Sequence, residues 1–447
     1  MAVIKIKRGL DLPIQGALPQ STLENGPSVR EVGVLPGESW GIKVRMLVQE
    51  GDAVKRGTPL FCDKRDPEVL YTSPAGGTVK AVHRGERRAV LAVAIAVGEH
   101  EEAEEFLPVD PAKASREELV AALQPSGLWP NLRQRPFDKV AVSTDTPRSI
   151  FVTAIDTHPL APAPRDLIAG REDDFRAGLV AMTKLSGGAT WLCTGGEDWS
   201  DLTVDGVQVQ AFGGKHPAGN PGVHIHHLDP VNLDRRAWHV DVQGVAEIGA
   251  FLKSGQVPTV RRVAVVGPAA KQPSLVETRR GAATAAFKDR AEGDPVRFIS
   301  GSPVGGLTAD PGTPVGYLGR WARQLTLMAD GGKPEFVGWT KPIGSRWSLT
   351  NAYLAKLLGM VKPMTTEKNG DLRAIVPIGS WEKVMPMDIL PTQMIKALAS
   401  DDIEAAEKLG VLELAEEDLA LCEVVDPCKT AITDMLRAML TRIEKEG

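Results

Sequence analysis

Between residues 41 and 97 turns interrupt the chain repeatedly. Glu50-Gly51-Asp52, Gly57-Thr58-Pro59 and Ser73-Pro74-Ala75-Gly76-Gly77 separate short runs rich in Val, Leu and Ile. Glycine reaches the positive φ that tight reversals need and proline fixes φ at a turn value, so the stretch reads as a small all-β unit. The start, Met1-Ala-Val-Ile-Lys-Ile-Lys-Arg, alternates apolar and basic residues like a strand and lacks the continuous apolar core of an export signal. The longest apolar run, Ala89 to Val97, has about half of the roughly 20 residues a membrane-spanning helix needs, and it predicts a buried strand. Across the chain, 45 Gly, 33 Pro and 5% aromatic residues favour short strands over the first two thirds. A length of 447 residues with 43% hydrophobic content predicts two to four domains. The net charge of −5 gives no footprint for nucleic acid.

Beyond the first unit the period changes. Ser115-Arg-Glu-Glu118 is a capping box and predicts a short helix that stops at Gln124-Pro125. From Ser149 to Gly267 apolar runs alternate with helical patterns: strands at Ile150, Ala189, Val207 and Val263, helices around Phe175-Leu179-Met182 and over Val242 to Leu252. That alternation predicts a parallel sheet with crossover helices. Residues 293 to about 380 return to short strands. Leu390 onward is helical, with a last helix capped by Asp426, opened by Pro427 and striped by Ile432, Met435, Leu436, Met439, Leu440 and Ile443, a stripe read as core packing.

Residues able to carry chemistry are sparse. No Gly-x-Gly-x-x-Gly follows a strand and no Gly-x4-Gly-Lys-Ser/Thr occurs, so the usual phosphate cradles are missing from the sequence. His224-x-His226-His227 is the densest histidine group. On a strand His224 and His226 share a face, which makes them weak metal candidates beside the plainer reading of structural hydrogen bonds or an intersubunit contact. The four cysteines, Cys62, Cys193, Cys422 and Cys428, are scattered and read as reduced thiols, and the last two cannot hold an iron–sulfur cluster alone. The 41–97 pattern resembles the lipoyl/biotinyl type of barrel-sandwich domain, with Lys64 as the tempting acceptor. Cys62 before the Asp and Arg65-Asp66-Pro67 after the Lys predict instead a stretched, charged surface loop.

Nine segments in order resemble one family: Lys7-Arg-Gly-Leu-Asp-Leu-Pro-Ile14, Ser126-Gly-Leu-Trp129, Arg135-Pro-Phe137, Phe151-Val-Thr-Ala-Ile-Asp-Thr157, His216-Pro-Ala-Gly219, Val223-His-Ile-His226, Gly267-Pro268, Glu382-Lys-Val-Met-Pro386 and Asp418-Leu-Ala-Leu-Cys422. The chain is similar to the A subunits of the Na+-translocating NADH:quinone oxidoreductase, peripheral parts of a six-subunit bacterial membrane complex that reduces ubiquinone and transports sodium. The resemblance implies an α/β multidomain chain: a barrel-sandwich unit over 1–110, a Rossmann-like domain over 111–258, a β-grasp (SLBB-like) domain over 259–380 and a helical end over 381–447. Relatives in layout bind flavin and an iron–sulfur cluster. Here bulky residues at 126–137 stand where their glycine-rich flavin loop lies, and the cluster cysteines are replaced, so no flavin, cluster or metal is expected. What the resemblance implies is a part in the quinone-reducing half of the reaction at the cytoplasmic face of the inner membrane, with Trp129, Arg133, Arg135, Pro136 and Phe137 as candidate quinone contacts. A cofactor-free structural cap, and more remotely a lipoyl-type carrier, are the alternatives. The expected partners are the other subunits and quinone, with no nucleic acid and no membrane span.

Overall fold

The computed structural model describes residues 2–19, 23–332, 347–348 and 358–446. Its first two strands, β1 (Val3–Ile6) and β2 (Leu23–Asn25), pair away from the unit that follows them. That unit is a sandwich of β3 (Glu31–Val34), β4 (Val44–Met46), β5 (Ala53–Val54), β6 (Pro59–Asp63), β7 (Asp66–Thr72), β8 (Gly77–Arg84) and β9 (Val90–Val97). A four-stranded sheet in the order β3-β9-β8-β5 faces a three-stranded sheet in the order β4-β6-β7. The apolar run is β9, with Ala92 to Ile95 fully buried. Lys64 is exposed at the β6–β7 reversal, where only Lys64 and Arg65 separate the strands. The loop expected to be stretched is therefore a two-residue turn, drawn tight because Asp63 accepts from the backbone N–H groups of Lys43 and Arg65.

The second domain opens with α1 (Arg116–Ser126), whose capping box forms as the sequence predicts: Ser115 accepts from the Glu118 N–H, and the Glu118 side chain accepts from the Ser115 N–H. The helix runs through Pro125 instead of stopping before it, and Gly127 ends it in the left-handed conformation at φ 76°. There follow β10 (Arg133–Arg135), β11 (Lys139–Val140), β12 (Ser149–Ala154), α2 (Pro164–Ile168), α3 (Glu172–Leu185), β13 (Ala189–Thr194), β14 (Val207–Gly214), α4 (Pro221–Leu228), β15 (Ala237–Asp241) and α5 (Val242–Ser254). The sheet order is β1-β14-β13-β12-β15-β10-β11, parallel from β1 through β15. Helix α3 crosses α5 so closely that a Cβ on Gly249 would stand 1.9 Å from the Asp174 carbonyl, which glycine alone permits.

Alternation along β12 and β13 assigns the two faces of this sheet. Ile150, Val152, Ala154 and Leu192 enter one core shared with the barrel and with α1, α3 and α5. Phe151 and Cys193 enter another, shared with Trp381, Met385, Leu436 and Leu440 of the C-terminal region. That region holds α6 (Pro391–Ala399), α7 (Ile403–Lys408), α8 (Glu416–Val425) and α9 (Ile432–Glu446). The stripe of α9 is core packing, as expected. The helix begins at Ile432, however, because Asp426 ends α8 and its carboxylate accepts from the Thr430 N–H, closing a turn where a new helix was anticipated.

The third sheet comprises β16 (Val260–Val266), β17 (Ser274–Arg279), β18 (Val296–Ser300), β19 (Leu307–Thr308) and β20 (Gln324–Ala329), in the order β19-β18-β20-β16-β17-β2. Of the short strands expected from 293 to about 380, β18, β19 and β20 form, 333–346 and 349–357 lie outside the described residues, and 358–380 hold no strand, only isolated bridges at Lys362 and Thr365. The fold is thus the expected set of a barrel-sandwich unit, an α/β domain, a β-rich third domain and a helical end. Its first 25 residues add β1 to the second sheet and β2 to the third, tying the units together.

Glu247 of α5 fastens the domains electrostatically. It is 1% exposed, accepts from Asn131 Nδ2 at 2.9 Å and Arg261 Nη1 at 3.0 Å, and pairs with Arg280. Burial alone would raise its carboxyl, but Arg280 and Arg261 hold it down to about 2. Removing one partner of such a group leaves charges buried without compensation, at about 3–5 kcal/mol. Glu247→Ala should lose about that much in urea unfolding, whereas an exposed control, Glu404→Ala, should change by under about 0.5 kcal/mol.

Candidate functional site

From β12 the chain leaves through α2 and α3 for β13 on one side, and it reaches β15 on the other side only after β14 and α4. The two connections depart in opposite directions, which opens a crevice beyond the carboxyl ends of β12 and β15, the place where open α/β sheets bind ligands. A cleft of about 490 Å³ lies there. Thr153, Asp156 and His158 reach it from the end of β12, Val240 and Asp241 from the end of β15, and Arg133 from β10. The approach to β20 adds Trp321, Arg323 and Gln324, the barrel adds Glu38 and Trp40, and the C-terminal helices add Glu416 and Arg437.

Every arginine of this cleft faces a carboxylate, and four further carboxyl groups, Glu38, Asp241, Glu417 and Asp434, line it. Arg133 pairs with Asp138, Arg323 Nε lies 3.1 Å from Asp156, and Arg437 pairs with Glu416. Burial would raise Asp138 and Asp156, but Arg133 and Arg135 beside the first, and Arg323 and His158 beside the second, hold both carboxyls well below the usual range. Two indoles complete the walls, each under a guanidinium: Arg133 lies 4.7 Å from the Trp321 ring centroid and Arg437 lies 4.9 Å from that of Trp40. The cleft offers aromatic surface and N–H donors whose positive charge is outnumbered by carboxyl groups. It suits a neutral ring bearing carbonyl acceptors better than a phosphate, which needs uncompensated positive charge or a row of free backbone N–H groups.

Asp156 organises one wall. Its Oδ1 accepts from the His158 backbone N–H at 3.0 Å and from His158 Nδ1 at 2.8 Å, while Oδ2 faces Arg323. The carboxylate side chain is 2% exposed and the imidazole 12%. Gln324 Nε2 donates to the Pro159 carbonyl at 3.1 Å, which seats this loop against the approach to β20.

The five residues proposed from the sequence as ring contacts are not brought to one surface. Arg133 alone lines the cleft. Trp129 is fully buried, donating Nε1–H to the Ala141 carbonyl at 2.7 Å and meeting Trp238 edge to face at 5.5 Å. Arg135 is also fully buried and turns toward α8, donating to Asp418 at 2.9 Å, Glu417 at 2.8 Å and the Glu413 carbonyl at 3.2 Å. Pro136 is buried, and half-buried Phe137 packs on the C-terminal core while its carbonyl accepts from Arg437. The remaining cleft residues, Trp40, Asp156, His158, Trp321, Arg323 and Arg437, were missed. Asp156 could have been found, because it closes the strand motif Phe151-Val-Thr-Ala-Ile-Asp and a carboxyl strand end at a switch point is where ligands bind.

His224 and His226 do not lie on a strand. They fall on α4, which Pro221 opens at its first turn, so the two side chains point different ways. His224 bonds the Ala218 carbonyl at 3.0 Å. His226 faces Glu413 at 2.8 Å through Nδ1 and accepts from the Asp388 N–H through Nε2 at 3.0 Å, a link between domains. Among the described residues no three His, Cys, Asp or Glu side chains converge as a metal site. Cys62, Cys193, Cys422 and Cys428 are all buried, and burial pushes the Cys422 thiol up to about 12.

Three domain models of one family match the chain in order: the NqrA N-terminal barrel-sandwich hybrid domain over residues 4–98, the NqrA second alpha/beta domain over 114–257 and the NQRA C-terminal domain over 262–310. Among the A subunits of the Na(+)-translocating NADH-quinone reductase, that of Hahella chejuensis is 45% identical, with 100% of both chains covered. That of Rhodopirellula baltica is 44% identical over 100% of this chain and 99% of its own, and that of Alcanivorax borkumensis is 44% identical over 100% of both.

The buried histidines beside the cleft give the molecule an acid sensitivity. Burial, with His158 adding to it at His216, pushes the pKa values of His216 and His224 down to about 3. In the unfolded chain both take up a proton below about 6.5, so stability is full above that pH and is lost as pH falls toward 3. The slope is about 1.4 kcal/mol per pH unit for each histidine. Urea unfolding at pH 7, 6 and 5 should show His224→Gln with a slope shallower than the parent by about that amount.

Proposed function

Because the chain belongs to the family of the A subunits of the Na(+)-translocating NADH-quinone reductase, we propose that it serves that complex by holding the quinone ring in the switch-point cleft during the quinone-reducing half reaction. The observation that carries this reading is the compensated positive charge of the cleft: Arg133, Arg323 and Arg437 each face a carboxylate, and Trp321 and Trp40 supply aromatic surface. A quinone is a neutral ring with two carbonyl acceptors, and a mainly preformed pocket with a few placed donors is what it requires. A flavin would bring a phosphate that this cleft does not neutralise, and the segment from Leu128 to Leu132 fills its space with buried side chains. In this reading the protein works with no flavin, iron–sulfur cluster or metal of its own.

The same reading sets the chain on the cytoplasmic side of the membrane, held by the other subunits. No helix among the described residues is long and apolar enough to cross a bilayer, which supports attachment through protein contacts. Trp129, Arg135, Pro136 and Phe137 do not line the cleft and take no direct part in this reading.

Trp321→Ala and Arg133→Ala, introduced into the assembled complex, should each raise the KM for a short-chain ubiquinone by about 5- to 150-fold, the equivalent of about 1–3 kcal/mol from lost ring packing or a lost charged donor. Assembly and NADH oxidation by a quinone-independent acceptor should be unchanged. Quinone kinetics that match the parent, with only the melting temperature lowered, would show instead that the protein is a structural cap.

A further inference from the structure

Accepting a quinone in the cleft leaves a chemical requirement unmet: its reduction consumes protons as well as electrons. Arginine stays protonated near neutral pH, so Arg133, Arg323 and Arg437 can donate hydrogen bonds but cannot deliver protons. Of the histidines near the cleft, His239 bonds Asp138 through Nε2 at 3.3 Å, and His216 is 1% exposed with a buried Nε2 that has no partner among the described residues. His158 differs. The Asp156 carboxylate can only accept, so the 2.8 Å contact fixes the hydrogen on His158 Nδ1 and leaves Nε2 as the atom that exchanges a proton. Nε2 makes no hydrogen bond among the described residues, and the imidazole lines the cleft within the wall that carries Trp321 and Arg323. Asp156 is fixed in turn by Arg323 Nε at 3.1 Å and by the His158 backbone N–H at 3.0 Å. This is the arrangement of a general acid with an orienting carboxylate behind it.

We infer that His158 is a catalytic residue that protonates one oxygen of the bound quinone as it is reduced, and that Asp156 is its positioning residue. The inference rests on quinone binding in this cleft. The complex delivers two electrons from NADH. As the ring is reduced, the His158 Nε2–H bond breaks, its electron pair stays on nitrogen, and an O–H bond forms on the facing quinone oxygen. The second oxygen takes its proton from water at the cleft mouth, and water reprotonates His158 after the quinol leaves. Before the step the Asp156 carboxylate holds the imidazolium through Nδ1–H, and after it the same contact keeps the remaining hydrogen of the neutral ring on Nδ1. The charged and titratable groups facing the ring are Asp156 from its own loop, His216 from the loop before α4 with ring centroids 4.6 Å apart, and Arg323 through Asp156.

The test uses the assembled complex turning over NADH with saturating short-chain ubiquinone, and with ferricyanide as an acceptor that takes electrons without protons. His158→Gln should lower kcat for ubiquinone by about 100-fold or more, change its KM by less than about three-fold and leave the ferricyanide rate intact. Asp156→Asn should lower kcat for ubiquinone while its KM and the ferricyanide rate hold, because Nδ1 loses the acceptor that fixes its hydrogen; a lowered melting temperature with kcat unchanged would deny Asp156 this role. An unchanged kcat in His158→Gln overturns the inference, and so does a raised KM with kcat unchanged, which would make His158 a contact only. If Trp321→Ala and Arg133→Ala raise KM while His158→Gln does nothing, the cleft reading stands and the relay falls; if none of the three alters quinone kinetics, the cleft reading itself fails. Should His158→Gln not assemble, His158→Asn takes its place, and an unchanged kcat in that variant overturns the inference.

Discussion

The buried Arg135 guanidinium joins the helical end of the chain to the α/β sheet, and the cleft depends on that junction. Its donors reach Asp418, Glu417 and the Glu413 carbonyl across a separation of nearly three hundred residues, while Asp138 lies 3.4 Å from its Nε. A guanidinium removed from water is tolerated only where several acceptors surround it, and breaking such a cluster from one side is costly. With Arg135 in place, α8 lies along the sheet edge and Glu416 stands where it pairs with Arg437. Arg437 then bonds the Phe137 carbonyl and covers Trp40 of the barrel. Three separate units meet at one wall because a single strand residue is satisfied by a distant helix.

The electrostatics of the cleft follow from the same economy. Asp138 serves Arg133, Arg135 and His239, and Asp156 serves Arg323 and His158, so the positive groups are compensated before any ligand arrives. Compensation removes the attraction for anions and keeps directional N–H groups, a combination matched to carbonyl oxygens. It also fixes side chains that would otherwise lose rotamer freedom on binding. Both indoles are held by guanidinium stacking before a ring enters, so the site is preorganised on its aromatic side as well.

Much of the architecture was legible along the chain. The turns of 41–97, the capping box at Ser115, the strands at Ile150, Ala189 and Val207 and the apolar stripe of the last helix each became the expected element, because each depends on neighbours within one or two turns of chain; the strand at Val263, expected in the same parallel sheet, instead joins the third sheet beside β17. The failures were also local and physical. Gly127, not Pro125, ends α1, since a left-handed residue closes a helix more firmly than a late proline opens it. Pro221 starts a helix at a stretch whose His-x-His spacing suggested a strand, and the supposed metal pair became two unrelated hydrogen bonds.

The candidate site shows where sequence reading ends. Residues 126–137 were singled out for their bulk, yet Arg133 and Arg135, two apart and so on one face of β10, part company: Arg133 lines the cleft and Arg135 reaches the C-terminal helices, and only their partners decide this. Trp40, Asp156, Trp321 and Arg437 are spread over four hundred residues and share no local pattern. By itself the sequence determined the elements, the order of the units and the family, all of which are written in short-range periodicity, turn chemistry and ordered motifs. Tertiary structure decided which charges neutralise each other and which side chains face one cleft, because pairing a buried charge is a property of the groups around it in space, not of its neighbours along the chain.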